Sequence, residues 1–293
     1  GFGVKEALAR KPKIIVVDPR ETMLAKRADV WLQLRPGTDD ALGLAMLNVI
    51  IEEGLHDKEF VDKWLHHLDV VCGFHEGFKS VMLKFFAHMI QYPECIPGIV
   101  PIIVGNYGDG KDMLFDIFSL GFPSKYWACN DVANQIFGRF NGMMKNKFLI
   151  QMCEITAYST KNAIEKLQAF ATNTRITIKS ECKAPVEQNN VARLFATTNY
   201  DGSFKIHKDQ RRIITQRSSS KYRGNKEYFQ PFVDVKDGTR EDWRMCILSL
   251  YYYLGTLPDV PKRFTIEHVQ EATTSYMKAI IEETQDSKDK FLA

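Results

Sequence analysis

The sequence predicts an α/β fold: a sheet with helices on both faces, closed by a helical tail, with a smaller strand-helix unit in front of it. Three observations predict it. From about residue 70 to 240, short β-branched runs alternate with stretches whose apolar residues recur at helical spacing. One of those runs enters a glycine-rich turn that opens a helix, and the chain from Asp242 onward reads as mainly helical.

Each element follows from local chemistry. Lys13 to Val17 is a β-branched run ended by Asp18-Pro19, and Val30 to Leu34 is a second, ended by Arg35-Pro36-Gly37; both read as buried parallel strands. Leu42, Met46, Val49 and Ile50 mark a helix from Asp39 to Ile51, with Thr38 or Asp39 as N-cap and Gly54 as its stop. Phe78 to Gln91 keeps helical spacing up to Tyr92-Pro93, and Pro97-Gly98 leads into a strand over Ile99 to Val104. Further strands are expected at Lys147 to Met152, Ile176 to Lys179 and Arg193 to Thr198, with a helix from Thr160 to Phe170 between the first two. With no internal repeat or low-complexity tract to follow, these changes of pattern divide the chain into 1–66, 70–240 and 241–293.

Composition narrows the function classes. The chain has 293 residues, 45% of them hydrophobic and 12% aromatic, which suits a packed soluble protein. Its 39 Lys and Arg against 36 Asp and Glu leave a formal charge of +3, so affinity for nucleic acid must come from local clustering. Six cysteines stand singly, without a C-x-x-C pair, which argues against zinc and for a reducing compartment. No signal-peptide pattern opens the chain, and Cys246 to Leu257 is too short to cross a bilayer. The expected place is the cytoplasm or nuclear compartment of a host, not outside the cell and not in a membrane.

Gly105-Asn106-Tyr107-Gly108-Asp109-Gly110-Lys111-Asp112 matches G-x-x-x-x-G-K at every position and departs only at the last, where Ser or Thr is usual. Gly105, Gly108 and Gly110 let successive backbone N–H groups point at an anion. The helix that starts near Lys111 adds its positive end, and the ammonium reaches the outer phosphates of a nucleotide such as ATP. A carboxylate at Asp112 can serve a magnesium ion as an oxygen ligand, directly or through water; a charge that merely favours the helix start is the alternative.

The strand ending Met152-Cys153-Glu154 offers a carboxylate to polarise an attacking water, although Cys153 stands where an aspartate is often found. Asn199, after the strand Arg193 to Thr198, offers an amide to water or to the outer phosphate. Lys205 to Lys226 is the most basic stretch, with Lys205, Lys208, Arg211, Arg212, Arg217, Lys221, Arg223 and Lys226. It suits an arginine inserted into a neighbouring subunit's site, a nucleic-acid contact, or a solvated face. Thr174 to Gln188 reads as a hairpin. It either sets Lys179 and Lys183 against single-stranded DNA or carries them as guards of an exposed edge.

Taken in order, these blocks resemble the superfamily 3 helicase module of viral primase-helicases, the poxvirus-type and phage primase-polymerase-associated group, from about Val70 to Phe264. The resemblance is carried by Phe86-Ala87-His88-Met89-Ile90-Gln91-Tyr92-Pro93, Pro97-Gly98, Gly110-Lys111-Asp112, Leu194-Phe195-Ala196-Thr197-Thr198-Asn199, Asp209-Gln210-Arg211-Arg212-Ile213 and Gly224-Asn225-Lys226-Glu227-Tyr228-Phe229. It implies an AAA+-like P-loop fold, a homo-oligomeric ring such as a hexamer, magnesium-dependent ATP hydrolysis and movement along single-stranded DNA. By the same matching, Lys111 and Asp112 correspond to the first nucleotide motif, Glu154 to the second, Asn199 to the sensor, and Arg211 or Arg212 to the finger from the adjacent subunit. Cys153 departs from the usual acidic pair and opens the alternative of an inactive nucleotide-binding scaffold. No primase half is expected upstream.

A second resemblance covers roughly Gly1 to Trp64. Lys13-Ile14-Ile15-Val16-Val17-Asp18-Pro19-Arg20, Ala25-Lys26-Arg27-Ala28-Asp29 and Leu34-Arg35-Pro36-Gly37-Thr38-Asp39 are similar to the cofactor-binding domain of molybdopterin oxidoreductases, a small Rossmann-like α/β fragment. That implies Asp18, Arg20 and Asp39 as contacts to the nucleotide of a molybdopterin guanine dinucleotide. An N-terminal cysteine cluster for iron–sulfur ligation and a molybdenum-ligand segment are both absent, so a fragment of such an oxidoreductase without its own metal site is the rival to the ATPase reading. The join near Leu65 to Val70 lacks linker composition and points to a fused or misassembled reading frame.

Overall fold

The structure, a computed structural model, describes residues 13–38, 41–42, 45, 49, 52–54, 57–155, 163–201, 206 and 210–292. It divides into two compact units, Gly1–His56 and Asp57–Ala293. In the first, β1 (Ile15–Val17) and β2 (Val30–Leu32) pair in parallel with Ile15 opposite Val30, and a 3-10 turn at Ala25–Arg27 crosses between them. The strands were expected to be buried and are not: Ile15 is 64% exposed. Two three-residue strands leave both faces of their sheet open, and one short turn buries only Ala25. Of the helix expected over 39–51, Ala41, Leu42, Ala45 and Val49 are helical, while Asp39, Met46 and Ile50 lie outside the described residues.

The second unit opens with α1 (Lys58–Val71), capped by Asp57, whose carboxylate accepts from the Phe60 amide at 2.9 Å. It continues into α2 (Glu76–Gln91), which stops at Tyr92 because Pro93 follows. Five strands then form one parallel sheet: β3 (Val100–Val104), β4 (Tyr126–Cys129), β5 (Leu149–Cys153), β8 (Arg193–Thr198) and β9 (Ile213–Arg217), in the order β4-β5-β8-β3-β9. β6 (Arg175–Ile178) and β7 (Val186–Asn189) stand apart as the antiparallel hairpin the sequence led us to expect. The sheet strand β4 has an aromatic, edge-strand composition that periodicity did not pick out.

Alternation along the strands sends Ile103, Leu149, Phe195 and Ile214 to one face and Ile102, Ile150, Ala196 and Ile213 to the other. On the first face pack α1, α2, α3 (Lys111–Ser119), α6 (Lys226–Lys236), α7 (Trp243–Gly255) and α8 (Ile266–Glu271). Phe86 is the hub there, edge-on to Trp64 at 5.0 Å and to Phe118 at 4.9 Å. The opposite face is covered by α4 (Val132–Gln135), α5 (Ala163–Thr172) and α9 (Ser275–Leu292). The helical tail is therefore shared between both faces.

Arg193 locks α2 to the sheet. Its buried guanidinium donates to the carbonyls of Tyr92 at 2.7 Å and Pro93 at 2.9 Å, the open end of α2, and lies over the Phe148 ring at 4.2 Å. His88 is buried beside it, bonded through Nε2 to the Lys262 carbonyl at 3.1 Å. Burial, reinforced by the Arg193 charge, holds His88 down to about 4.

Candidate functional site

In an open parallel sheet, ligands bind outside the carboxyl ends of the strands. Four ends converge here. The loop 105–110 follows β3, Glu154 follows β5, Asn199 follows β8, and Ser218 follows β9, with its amide on the Val104 carbonyl at 2.7 Å. Of the sequence-derived site residues, the structure thus brings together Gly105, Gly108, Gly110, Lys111, Asp112, Glu154 and Asn199.

Glycine is required in this loop for two separate reasons. Gly108 and Gly110 have φ of +81° and +82°, the left-handed region that L side chains avoid. At Gly110 a Cβ would also lie 2.5 Å from the Phe229 ring and 2.7 Å from the His67 ring. Gly110→Ala therefore combines backbone strain with a clash on both sides. It is expected to destabilise the fold by about 1–3 kcal/mol from the strain alone, read as a lowered urea midpoint; a wild-type midpoint would contradict this geometry.

The loop is braced from within by a residue that motif matching ignores. Asp109 is 1% exposed, and its Oδ2 accepts from the Asn106 amide at 2.7 Å and the Ser218 hydroxyl at 3.0 Å. His67 of α1 braces it from outside. Its Nε2 faces the Gly110 carbonyl at 2.9 Å and so carries the proton, leaving Nδ1 to accept from the Tyr228 hydroxyl at 3.1 Å. Burial holds His67 down to about 4, so the ring is neutral at pH 7.

This has a stability consequence shared with His88. Below pH 6.5 the unfolded chain takes protons at both positions while the folded chain does not, so stability is full above 6.5 and falls as the pH drops toward about 4. Urea denaturation at pH 5.0 should show a loss of roughly 2 kcal/mol per histidine relative to pH 7.5, and replacing either ring with phenylalanine should flatten the pH dependence.

Lys111 is 5% exposed and places its amine on the carbonyls of Gly105 at 3.3 Å and Asn106 at 3.2 Å and on Asn199 Oδ1 at 2.5 Å. Burial lowers its pKa, and Asp112, Asp109 and Glu154 push back. A desolvated ammonium whose direct partners are all uncharged favours an added anion, and the helix start beside it adds its positive end. Asp112, in the first turn of α3, accepts from the Gln151 side chain at 2.5 Å; Gln151 also donates to Thr197 at 3.0 Å. Glu154 is exposed, with φ of +50°, at the mouth. Cys153 is pushed up to about 12, first by burial and then by Asp112, so it is a neutral thiol at pH 7 where the usual pattern has a second carboxylate.

Other expected residues sit elsewhere. Arg211 and Arg212 precede β9, and the Arg212 carbonyl accepts from the Val100 amide, so both lie at the amino ends of the strands. A five-residue strand, about 16 Å at 3.3 Å per residue, separates them from the loop of their own chain. Arg211 is exposed; burial, Arg263 and Arg211 all lower the Arg212 pKa. No ion pair to Arg211, Arg212 or Arg263 is formed among the described residues. Lys179 and Lys183 are exposed on the β6–β7 turn, at the same far end. Arg217 is paired with Asp201, and Lys205 and Lys208 lie outside the described residues. In the first unit, Asp18 ends β1 and turns back to accept from the Arg20 amide at 2.8 Å; Asp39 is outside the described residues. Asp57, Asp242 and Cys246 also cluster, but Arg240 bonds the two carboxylates at 2.6 and 2.5 Å, which makes the group an ion-pair network.

The glycine loop between a central parallel strand and a helix defines a P-loop-like α/β fold. Comparison with known proteins agrees at that level. Residues 103–212 match DUF5906, described as a family of unknown function. A solved apo structure of the NrS-1 C-terminal region (305–718) is similar, with a TM-score of 0.60 at 18% identity, over 77% of this chain and 51% of that one. Over short stretches the chain is similar to other curated proteins, and it spans less than a tenth of the length of the two that follow. It is 61% identical over 61 residues to acetylene hydratase of Syntrophotalea acetylenica, covering 21% of this chain and 8% of that protein. It is 51% identical over 49 residues to the molybdopterin-containing subunit of the arsenate respiratory reductase of Chrysiogenes arsenatis, covering 17% and 6%. No helix among the described residues is long and apolar enough to cross a membrane.

Proposed function

We propose that the Asp57–Ala293 unit is a magnesium-dependent ATPase of the AAA+-like, superfamily 3 helicase type that moves along single-stranded DNA as a homo-oligomeric ring. The observation that carries this reading is the meeting of the Lys111 amine with the Asn199 amide inside the 105–111 loop, with Glu154 on the same sheet edge. Lys111 and the loop amides bind the phosphates, Asp112 and Glu154 hold the metal, Glu154 polarises the attacking water, and Asn199 orients it. Bound magnesium would supply charge neutralisation to the phosphates. Arg211 or Arg212, out of reach of their own loop, serve the neighbour. Lys179 and Lys183 face DNA.

ATP turnover by the full chain, measured with and without a single-stranded 20-mer, tests this: turnover that rises with DNA is expected, and no turnover under either condition overturns it. Cys153, a neutral thiol where a second acid is usual, supports one further reading, a scaffold that binds ATP without hydrolysing it. Nucleotide affinity without turnover identifies that case. For the first unit, the resemblance of its strand-end loops to a molybdopterin cofactor-binding domain supports only a pterin-nucleotide contact, through Asp18, Arg20 and Asp39, without redox chemistry.

A further inference from the structure

At the end of the sheet away from the phosphate loop, a pocket of about 430 Å³ opens between the segment 136–144, helix α5 and the hairpin strand β6. Its lining is of two kinds. Ile136, Met144, Ile176, Phe137 and Phe170 are apolar, while Lys166 and Arg175, the latter paired with Glu187 at 2.9 Å, are cationic.

The walls are fixed to one another. Asn141 donates to the Thr177 carbonyl at 3.1 Å and accepts from the Lys179 amide at 2.7 Å, which ties the first wall to the hairpin. Lys166 donates to the Phe137 carbonyl at 2.8 Å, and Asn190 donates to the carbonyls of Phe170 and Asn173, each at 2.8 Å. Gly142 lets the segments approach: a Cβ there would stand 2.5 Å from the Ser180 hydroxyl. The cavity is thus preformed, and its volume falls in the range of small-molecule sites.

Its surroundings are cationic. From Val132 to Cys153 the sequence contains no acidic residue, and Arg139, Lys179 and Lys183, on the two chain segments that supply walls of the pocket, are all exposed. Phe140, beside Arg139, is 41% exposed. A rim whose cations outnumber the two hairpin acids, Glu181 and Glu187, suits phosphodiesters, whereas the Phe137 and Phe170 rings suit a flat heterocycle. Single-stranded nucleic acid offers both in one chain.

We propose that this pocket takes one unstacked base of a DNA single strand whose backbone lies along Arg139, Lys179 and Lys183. The proposal rests on the DNA-motor reading and adds a base subsite to it.

The test is fluorescence anisotropy on the full chain with two labelled 20-mers, oligodeoxythymidylate and an oligomer carrying only abasic sites, over a salt series. The wild type should bind the thymidylate about ten-fold tighter, the scale of one stacked base. Ala169→Trp, from an exposed position of α5, fills the pocket; it should reduce thymidylate affinity to the abasic level and leave abasic affinity unchanged. Should that variant lose abasic affinity as well, Asn173→Trp fills the same space from the end of α5 and is judged by the same criterion. Lys179→Ala with Lys183→Ala should weaken both oligomers and shallow the salt slope. Equal affinity of the wild type for both oligomers, or a filled pocket that keeps the thymidylate preference, overturns the proposal. A wild type that binds neither oligomer overturns the DNA reading itself, and the base subsite with it.

Discussion

Replacing Lys111 with alanine should abolish ATP turnover, by roughly three orders of magnitude or more, while leaving the fold intact. The two halves of that expectation have separate causes. The ammonium is the one cation held inside the loop among the described residues, so charge developing on the outer phosphates loses its nearest compensation. Stability should change little, by about 1 kcal/mol or less, because burial already disfavours the charged amine and the bonds lost are to three uncharged oxygens. Turnover by coupled assay and the urea midpoint are the two readouts. Retained hydrolysis in the folded variant would remove Lys111 from the mechanism.

The second large effect belongs to Arg211 and Arg212. Whichever acts as the finger should cost about 10³- to 10⁵-fold in turnover when changed to alanine, with ATP binding unaltered, since neither reaches its own chain's loop. Three guanidinium groups gathered with no ion-pair partner among the described residues are an electrostatic cost that an incoming anion from a neighbour relieves. Arg211, the more exposed of the pair, is expected to show the larger effect. Mixing settles whether the residue acts across an interface. Lys111→Ala chains carry an intact finger and the arginine variant an intact loop, so combining two inactive proteins should restore measurable hydrolysis. A mixture as inactive as its components would contradict action in trans.

The glycine loop was legible in the sequence because its geometry is local: glycine at positive φ, lysine at a helix start, and an apolar strand before it. β5 and β8 were legible for a similar reason, and their end residues Glu154 and Asn199 arrive at the loop because parallel strands share one carboxyl edge. What supports the loop was not legible. His67 meets Gly110 across 43 residues of chain, and a His-His pair within the helical stripe of Phe60, Trp64 and Leu68 carries no local sign of that contact. Asp109 occupies a position that the motif leaves open, so only its burial reveals the brace. Gln151 did leave a signal, a polar residue between Ile150 and Met152 in a strand buried on both faces; it marks the hold on Asp112. The burial expected of β1 and β2 failed for the opposite reason. A β-branched run specifies a strand, but what covers it is decided elsewhere in the chain.

The central claim is tested most directly by determining the structure of the full chain with a non-hydrolysable ATP analogue and magnesium. The account predicts phosphates against the amides of residues 107, 108, 110 and 111, the Lys111 amine moved from Asn199 onto the outer phosphate, and Glu154 facing it. An analogue at saturating concentration bound elsewhere, with Lys111 still on Asn199, would contradict it.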